Sequence, residues 1–231
     1  MNFSKRSIWF LSFWLLSVSI QMTGQDSVLV TKNFKFADGV YFDFENLKRN
    51  QPDIKWKDLE AIYITNPKTF LTQVEYLLVR NTGQLIDLQS LWGVVIEGIP
   101  YVRLEKEALN RPLVSFAGLR VRGKIFYFNY ETEVGEKVAI QAINPANGKP
   151  FRTGYVEKEK SILMEKMLHW DNGEVQDFSK ENFLKWIEND KGLYKSVQEI
   201  ERKEVQEKLF KSVLIYNDRH PVFIRSGQKL N

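Results

Sequence analysis

Residues 119 to 131 read LRVRGKIFYFNYE. Arg122-Gly123 offers a turn between two extended runs. In the second run Ile125, Tyr127 and Asn129 alternate with Phe126, Phe128 and Tyr130, so both faces of the extended chain are largely apolar. A strand with one wet side alternates apolar with polar. Aromatics on both sides predict a strand that is covered on both faces or lines an interior cavity.

The flanking sequence carries the punctuation of an antiparallel sheet from Val28 to Val156, with short runs separated by glycine, asparagine and proline. LWGVVIEGIPYVRLEKE (91 to 107) predicts a hairpin turning at Glu97-Gly98. In it Val102 and Leu104 oppose Tyr101, Arg103 and Glu105, so this strand is expected to border water. QVEYLLVRNTGQLIDL (73 to 88) predicts a second hairpin around Asn81 to Gly83. KVAIQAINPANGKPFRTGYV (137 to 156) predicts a third at Asn147-Gly148, a pair that tolerates the positive φ of tight loops. Six to ten short strands joined this way predict a sandwich or a partly open barrel, and the lack of βαβ alternation disfavours a doubly wound sheet.

Helices are expected at two places. FENLKRNQP sets Phe44 and Leu47 on one face, with Asp43 as N-cap and Pro52 beyond its end. SKENFLKWIENDKG (179 to 192) starts at Ser179, gathers Phe183, Leu184, Trp186 and Ile187, and is expected to stop at Gly192. Helical spacing continues from Leu193 to Tyr216 in two stripes: Leu193, Val197 and Ile200, then Val205, Leu209, Val213 and Tyr216. The step from Ile200 to Val205 turns the second stripe well away from the first. Either the helix breaks near Glu201 to Glu204, or Val205, Leu209 and Val213 face a partner.

The fold class expected is therefore α+β, an antiparallel β-rich body followed by a C-terminal helical region. Its divisions are residues 25 to 178 for the β-rich domain, 179 to 217 for the helices packing on it, and 218 to 231 for a tail. Residues 1 to 24 read as an export signal: Lys5 and Arg6, an apolar run of about 13 residues from Ile8 to Ile20, then a polar exit through Gln21, Thr23 and Gly24. The run is shorter than the ~20 residues a spanning helix needs. An uncleaved anchor or a buried first strand are the alternatives, and the cut falls after Gly24 or Gln25.

Composition narrows the chemistry. The 33 basic and 29 acidic residues are interspersed, as in ERKEVQEK (201 to 208), which disfavours nucleic acid as a partner. With no cysteine there is no disulfide, thiol nucleophile, thiolate metal site or lipid-modified cysteine. Neither His169 nor His220 stands at metal-ligand spacing, and no metal or cofactor is expected. No Walker loop, dinucleotide fingerprint, EF-hand, HExxH helix or nucleophile elbow is present. Glu97, Glu105, Glu131 and Asp171 leave open a hydrolase with a carboxylate pair across a β-groove, although each reads more simply as a turn or surface residue. Trp92, Tyr101, Tyr127 and Tyr130, together with Phe126 and Phe128, are candidates for a ligand cavity, against the simpler reading of core packing.

Three segments together resemble a group of functionally uncharacterised exported proteins of gram-negative bacteria: DGVYFDFENLKRNQPDI, LWGVVIEGIPYVRL, and DNGEVQDFSKENFLKWIENDKGLY with IYNDRHPVF. The chain departs from the group at Val94-Val95-Ile96, apolar where more polar residues are expected. The resemblance implies an envelope or extracellular location and no reaction, cofactor or site. The expected function is that of an exported, non-enzymatic binding protein of the cell envelope. Its partner would be an envelope protein or a small ligand, with membrane contact only through residues 1 to 24 if these stay attached.

Overall fold

The computed structural model describes residues 27–105 and 113–225, the side chains of Arg202 and Arg225 excepted. The expected signal and residues 226 to 231 of the expected tail lie outside them, while the first part of that tail closes α4 and forms a short strand. Strand makes up 45% of the structure and helix 23%, and every strand pair is antiparallel, in keeping with an α+β, β-rich body followed by helices.

The body sheet contains β2 (Gly39–Tyr41), β3 (Ile54–Lys55), β4 (Leu59–Asn66), β5 (Leu71–Val79), β6 (Gln84–Leu85), β7 (Gly93–Ile96), β8 (Ile99–Arg103) and β9 (Val114–Gly118). Its order is β3-β2-β7-β8-β9-β5-β4, with β6 paired to β5. The strands at its two ends, β3 and β4, are joined only by the 3-10 turn Trp56–Asp58. Three residues span little more than ~10 Å, so the sheet has to curl until its edges approach. The result is a nearly closed, barrel-like sheet.

Alternation along the strands fills two cores. Val40, Val74, Val94, Ile96, Tyr101 and Phe116 join Leu59, Leu77 and Leu91 in one cluster, with Ile54 and Trp56 packed against it. Because this cluster draws on both edges, it is the interior of the curled sheet. Tyr41, Val95, Val102 and Ala117 belong to a second cluster on the opposite face, with Phe44, Leu47, Phe126, Phe128, Tyr130, Leu168 and Trp170. The short helix α1 (Phe44–Lys48) contributes Phe44 and Leu47 and is capped by Asp43, which accepts from the Asn46 N–H at 2.7 Å.

The Glu97-Gly98 turn forms as expected, both residues at positive φ (55° and 80°). The Asn81 to Gly83 hairpin forms as well, linking β5 to β6. The β8 strand is not the wet strand its alternation suggests. It lies between β7 and β9, and Tyr101 is buried in the interior while Val102 is buried on the other face. Val94, Val95 and Ile96 of β7 are buried too, which explains why they are apolar.

Arg122-Gly123 turns the chain, but the run before it contributes only one bridge, Val121 to Tyr127. The strand after it is far longer than its sequence punctuation suggests. β10 (Ile125–Ile143) and β11 (Pro150–His169) form a single ribbon, turning at Asn147-Gly148, with one register shift at Ala142/Ile143. At its base β11 also pairs with β12 (Val175–Asp177). The β10 base is covered on both faces. Phe126, Phe128 and Tyr130 pack on the barrel's outer cluster, and Ile125 packs on the helices with Met167 of β11.

α2 (Lys180–Trp186) starts at Ser179, whose hydroxyl accepts from the Asn182 N–H. It does not run to Gly192. Asp190 caps a new helix, α3 (Lys191–Gln198), by accepting from the Leu193 N–H at 3.0 Å, so Gly192 sits in the first turn of α3. The expected break follows at Glu199 to Glu204, where a 3-10 turn leads into α4 (Val205–Arg219). That bend brings both stripes onto one cluster: Leu193, Val197, Leu209, Val213 and Tyr216 are buried together with Ile125, Met167, Phe183 and Ile187. β1 (Ser27–Leu29) pairs with β13 (Phe223–Arg225), bringing the two ends of the described chain together.

Candidate functional site

The four aromatic candidates do not share a cavity. Tyr101 is inside the barrel. Trp92 is half-buried at the outer cluster with its ring 5.2 Å from Phe44, and Tyr130 is buried in that same cluster. Tyr127 is on the helix-facing side of the ribbon, edge-on to Phe178 and Phe210. Its hydroxyl donates to Glu165, and burial followed by that carboxylate pushes its pKa up to about 12. Tyr127 and Tyr130 are buried because the ribbon base is roofed on both sides, and Tyr101 because the sheet curls around it.

The stripe expected to meet a partner is corrected in the same way. Leu209 and Val213 are buried within the chain, and Val205 is half-buried against the same cluster. Once the chain bends at Glu199 to Glu204, the second stripe turns back onto α2, α3 and the ribbon. Val205, Leu209 and Val213 are core residues.

The ionisable candidates are dispersed. Glu97, Glu105, Glu131 and Asp171 are exposed and dispersed: Glu97 and Asp171 on turns, Glu105 just past β8 and Glu131 within β10. His169 ends β11 edge-on to Trp186, and burial lowers its pKa. His220 follows α4, its Nε2 3.8 Å from Asp190 Oδ2 and its ring 4.2 Å from that of Tyr216. Among the described residues no group of three or more His, Asp or Glu is placed to hold a metal ion.

A cleft of about 480 Å³ opens between the Leu29–Lys32 segment, Pro221, the Arg120–Arg122 turn and α4. Leu29, Val121, Phe210 and Leu214 form its apolar wall, with Lys32, Arg120 and Arg122 as its cations. Arg122 Nη1 donates to the Phe34 carbonyl at 2.5 Å, tying the turn to the N-terminal segment, while among the described residues its buried Nε has no partner.

A more distinctive surface is the free part of the ribbon. From Glu131 to Ile143 and from Pro150 to Leu163 nearly every side chain is exposed, although the ladder of β10 and β11 is continuous. At ~3.4 Å per residue this arm extends roughly 40 Å. It is built in two parts. The proximal shaft is densely charged: Glu131, Glu133, Glu157 and Glu159 point to one face, while Glu136, Lys158 and Lys160 point to the other. The distal part, residues 138 to 156, contains no acid at all. It exposes Ile140 (53%), Ile143 (59%), Phe151 (68%) and Tyr155 (74%), together with the cations Lys149 and Arg152. Among the described residues neither cation forms an ion pair.

A two-stranded ribbon standing alone is marginally stable in water, and exposed apolar clusters mark contact sites. Sequence reasoning saw the Asn147-Gly148 turn of this arm and missed its reach. The signal was present in EKEK (157 to 160): acids and bases alternate at period two, which segregates charge between the faces of a strand standing in water.

No protein-family model, curated protein or solved structure was found to match the chain.

Proposed function

We propose that this is a non-enzymatic binding protein of the bacterial cell envelope that makes contact through its β10–β11 arm. The observation carrying this reading is the arm itself: a ribbon of roughly 40 Å, anchored between two packed clusters and bearing at its far end apolar side chains that the rest of the chain leaves open to water. Export is supported by the cation pair, short apolar run and polar exit of residues 1 to 24, and by the resemblance to exported proteins. Folding without cysteine suits either side of a membrane.

The test is site-specific photocrosslinking in intact cells. A photoreactive residue at Val138 or Tyr155 should give discrete adducts, and the same residue at exposed Glu75 of β5 should give none. Equal labelling from Glu75 and the arm would remove the arm from the function.

A further inference from the structure

We infer that the distal arm, residues 138 to 156, docks on an anionic lipid surface. The inference rests on the arm being the contact element and names what it touches.

Three observations converge on lipid. The first is charge: the 19 residues of the exposed tip carry Lys149 and Arg152 and no carboxylate, whereas the shaft below them carries Glu131, Glu133, Glu136, Glu157 and Glu159. Cations near a negatively charged bilayer are attracted to it, whereas a single acid among them would offset much of that gain. The second is the company these cations keep. Ile143 and Phe151 flank the turn, and Tyr155 stands further back toward the shaft, all well exposed. Aliphatic and phenyl groups reach the acyl boundary, and tyrosine settles at the headgroup level because one end is apolar and the other polar. The third is the boundary. Acids return at Glu136 on one strand and Glu157 on the other, at neighbouring levels of the ribbon, so the acid-free section ends abruptly on both strands.

The depth of contact is limited by the backbone. Both outer edges of the distal ribbon carry unpaired N–H and C=O groups, each costly in hydrocarbon. The tip therefore lies in the headgroup layer, with Lys149 and Arg152 on phosphates and Ile143 and Phe151 beneath them. It does not span. This contact is separate from any made by residues 1 to 24.

Vesicle flotation of the full chain tests it, comparing phosphatidylcholine vesicles with vesicles containing phosphatidylglycerol. Binding should require the anionic lipid and weaken with salt. Lys149→Gln with Arg152→Gln should weaken it roughly thirtyfold, on the usual contribution of about tenfold or less per cation. Ile143→Ser with Phe151→Ser should do likewise, and Lys158→Gln with Lys160→Gln in the shaft should change it little. Since residues 1 to 26 are identical in all these chains, any difference belongs to the tip. In a second readout, the indole introduced by Phe151→Trp should shift its emission to the blue on anionic vesicles.

Tip variants that float like the parent, or a Phe151→Trp protein whose emission is indifferent to vesicles, would overturn the lipid assignment. If arm crosslinks in cells then led to a protein or to a second copy of the chain, the arm would keep its role and lose only this partner. Absence of crosslinks from the arm would sink both.

Discussion

The side-chain amide of Asn217 holds both main-chain polar groups of Ile125, accepting from its N–H at 2.7 Å and donating to its C=O at 2.8 Å. The two residues are 92 positions apart, and Ile125 is the first residue of β10. The amide does for the strand's first residue what a neighbouring strand would do. Asn217→Leu should leave a buried donor and acceptor unpaired and cost roughly 2–4 kcal/mol in urea unfolding. Gly123→Ala should act on the same joint, because a Cβ there would meet Asn217 Cγ at 2.6 Å.

Charge substitutions separate core from contact surface. Val213→Asp places an unpaired carboxylate where Val213 is fully buried and should cost about 3–5 kcal/mol. Val138→Asp on the exposed arm should stay within ~0.5 kcal/mol. Paired thermal melts measure both. A Val213→Asp protein that melts like the parent would overturn the placement of α4 against the ribbon.

Removing the arm should spare the body. Replacing residues 134 to 160 with Asn-Gly closes the ribbon just past the Glu133–Ser161 pair and leaves both packed clusters intact. The melting temperature should move by no more than about 4 °C, and binding to anionic vesicles should be lost. A molten or aggregated product would show that the arm stabilises the body.

Two groups make stability fall toward acid, in different windows. Burial holds the His169 pKa below its ordinary 6.5, so the unfolded chain binds a proton that the folded chain refuses. Stability therefore declines as pH drops below 6.5, until the folded histidine also protonates. At Asp190 the Leu193 N–H, followed by Arg219, holds the carboxyl below its ordinary 3.8. Its contribution is complete above about pH 4 and is lost as pH falls from there through the folded pKa. In denaturant titrations His169→Phe should flatten the upper window and Asp190→Asn the lower one. A slope unchanged by either substitution would exclude that residue as its source.

The parts of the fold legible in the sequence were those decided within a few residues. Asp43 and Ser179 cap helices where they should, and Glu97-Gly98 and Asn147-Gly148 turn hairpins, because each depends on local backbone chemistry. The doubly covered strand at Ile125 to Tyr130 was legible from alternation alone. What lay beyond reach depended on distant partners. Tyr101 has the pattern of a wet strand and is buried because the sheet curls around it. Val205, Leu209 and Val213 face outward only if α3 and α4 are read as one straight helix. The length of the arm escaped notice for the opposite reason: the shaft residues have no core to face, so their pattern lacks the apolar periodicity that reveals a strand.

The continuous ladder from Ile125 to Ala142 makes β10 a cantilever, clamped between two apolar clusters at one end and free over most of its length. Bending accumulates toward the unsupported end, so a small tilt at the clamp becomes a wide sweep at Phe151. A sideways load at the tip returns as torque on the seam between barrel and helices, while a pull along the ribbon loads its cross-strand bonds in shear. Whatever holds the tip thereby gains a mechanical hold on the joint where Asn217 grips Ile125.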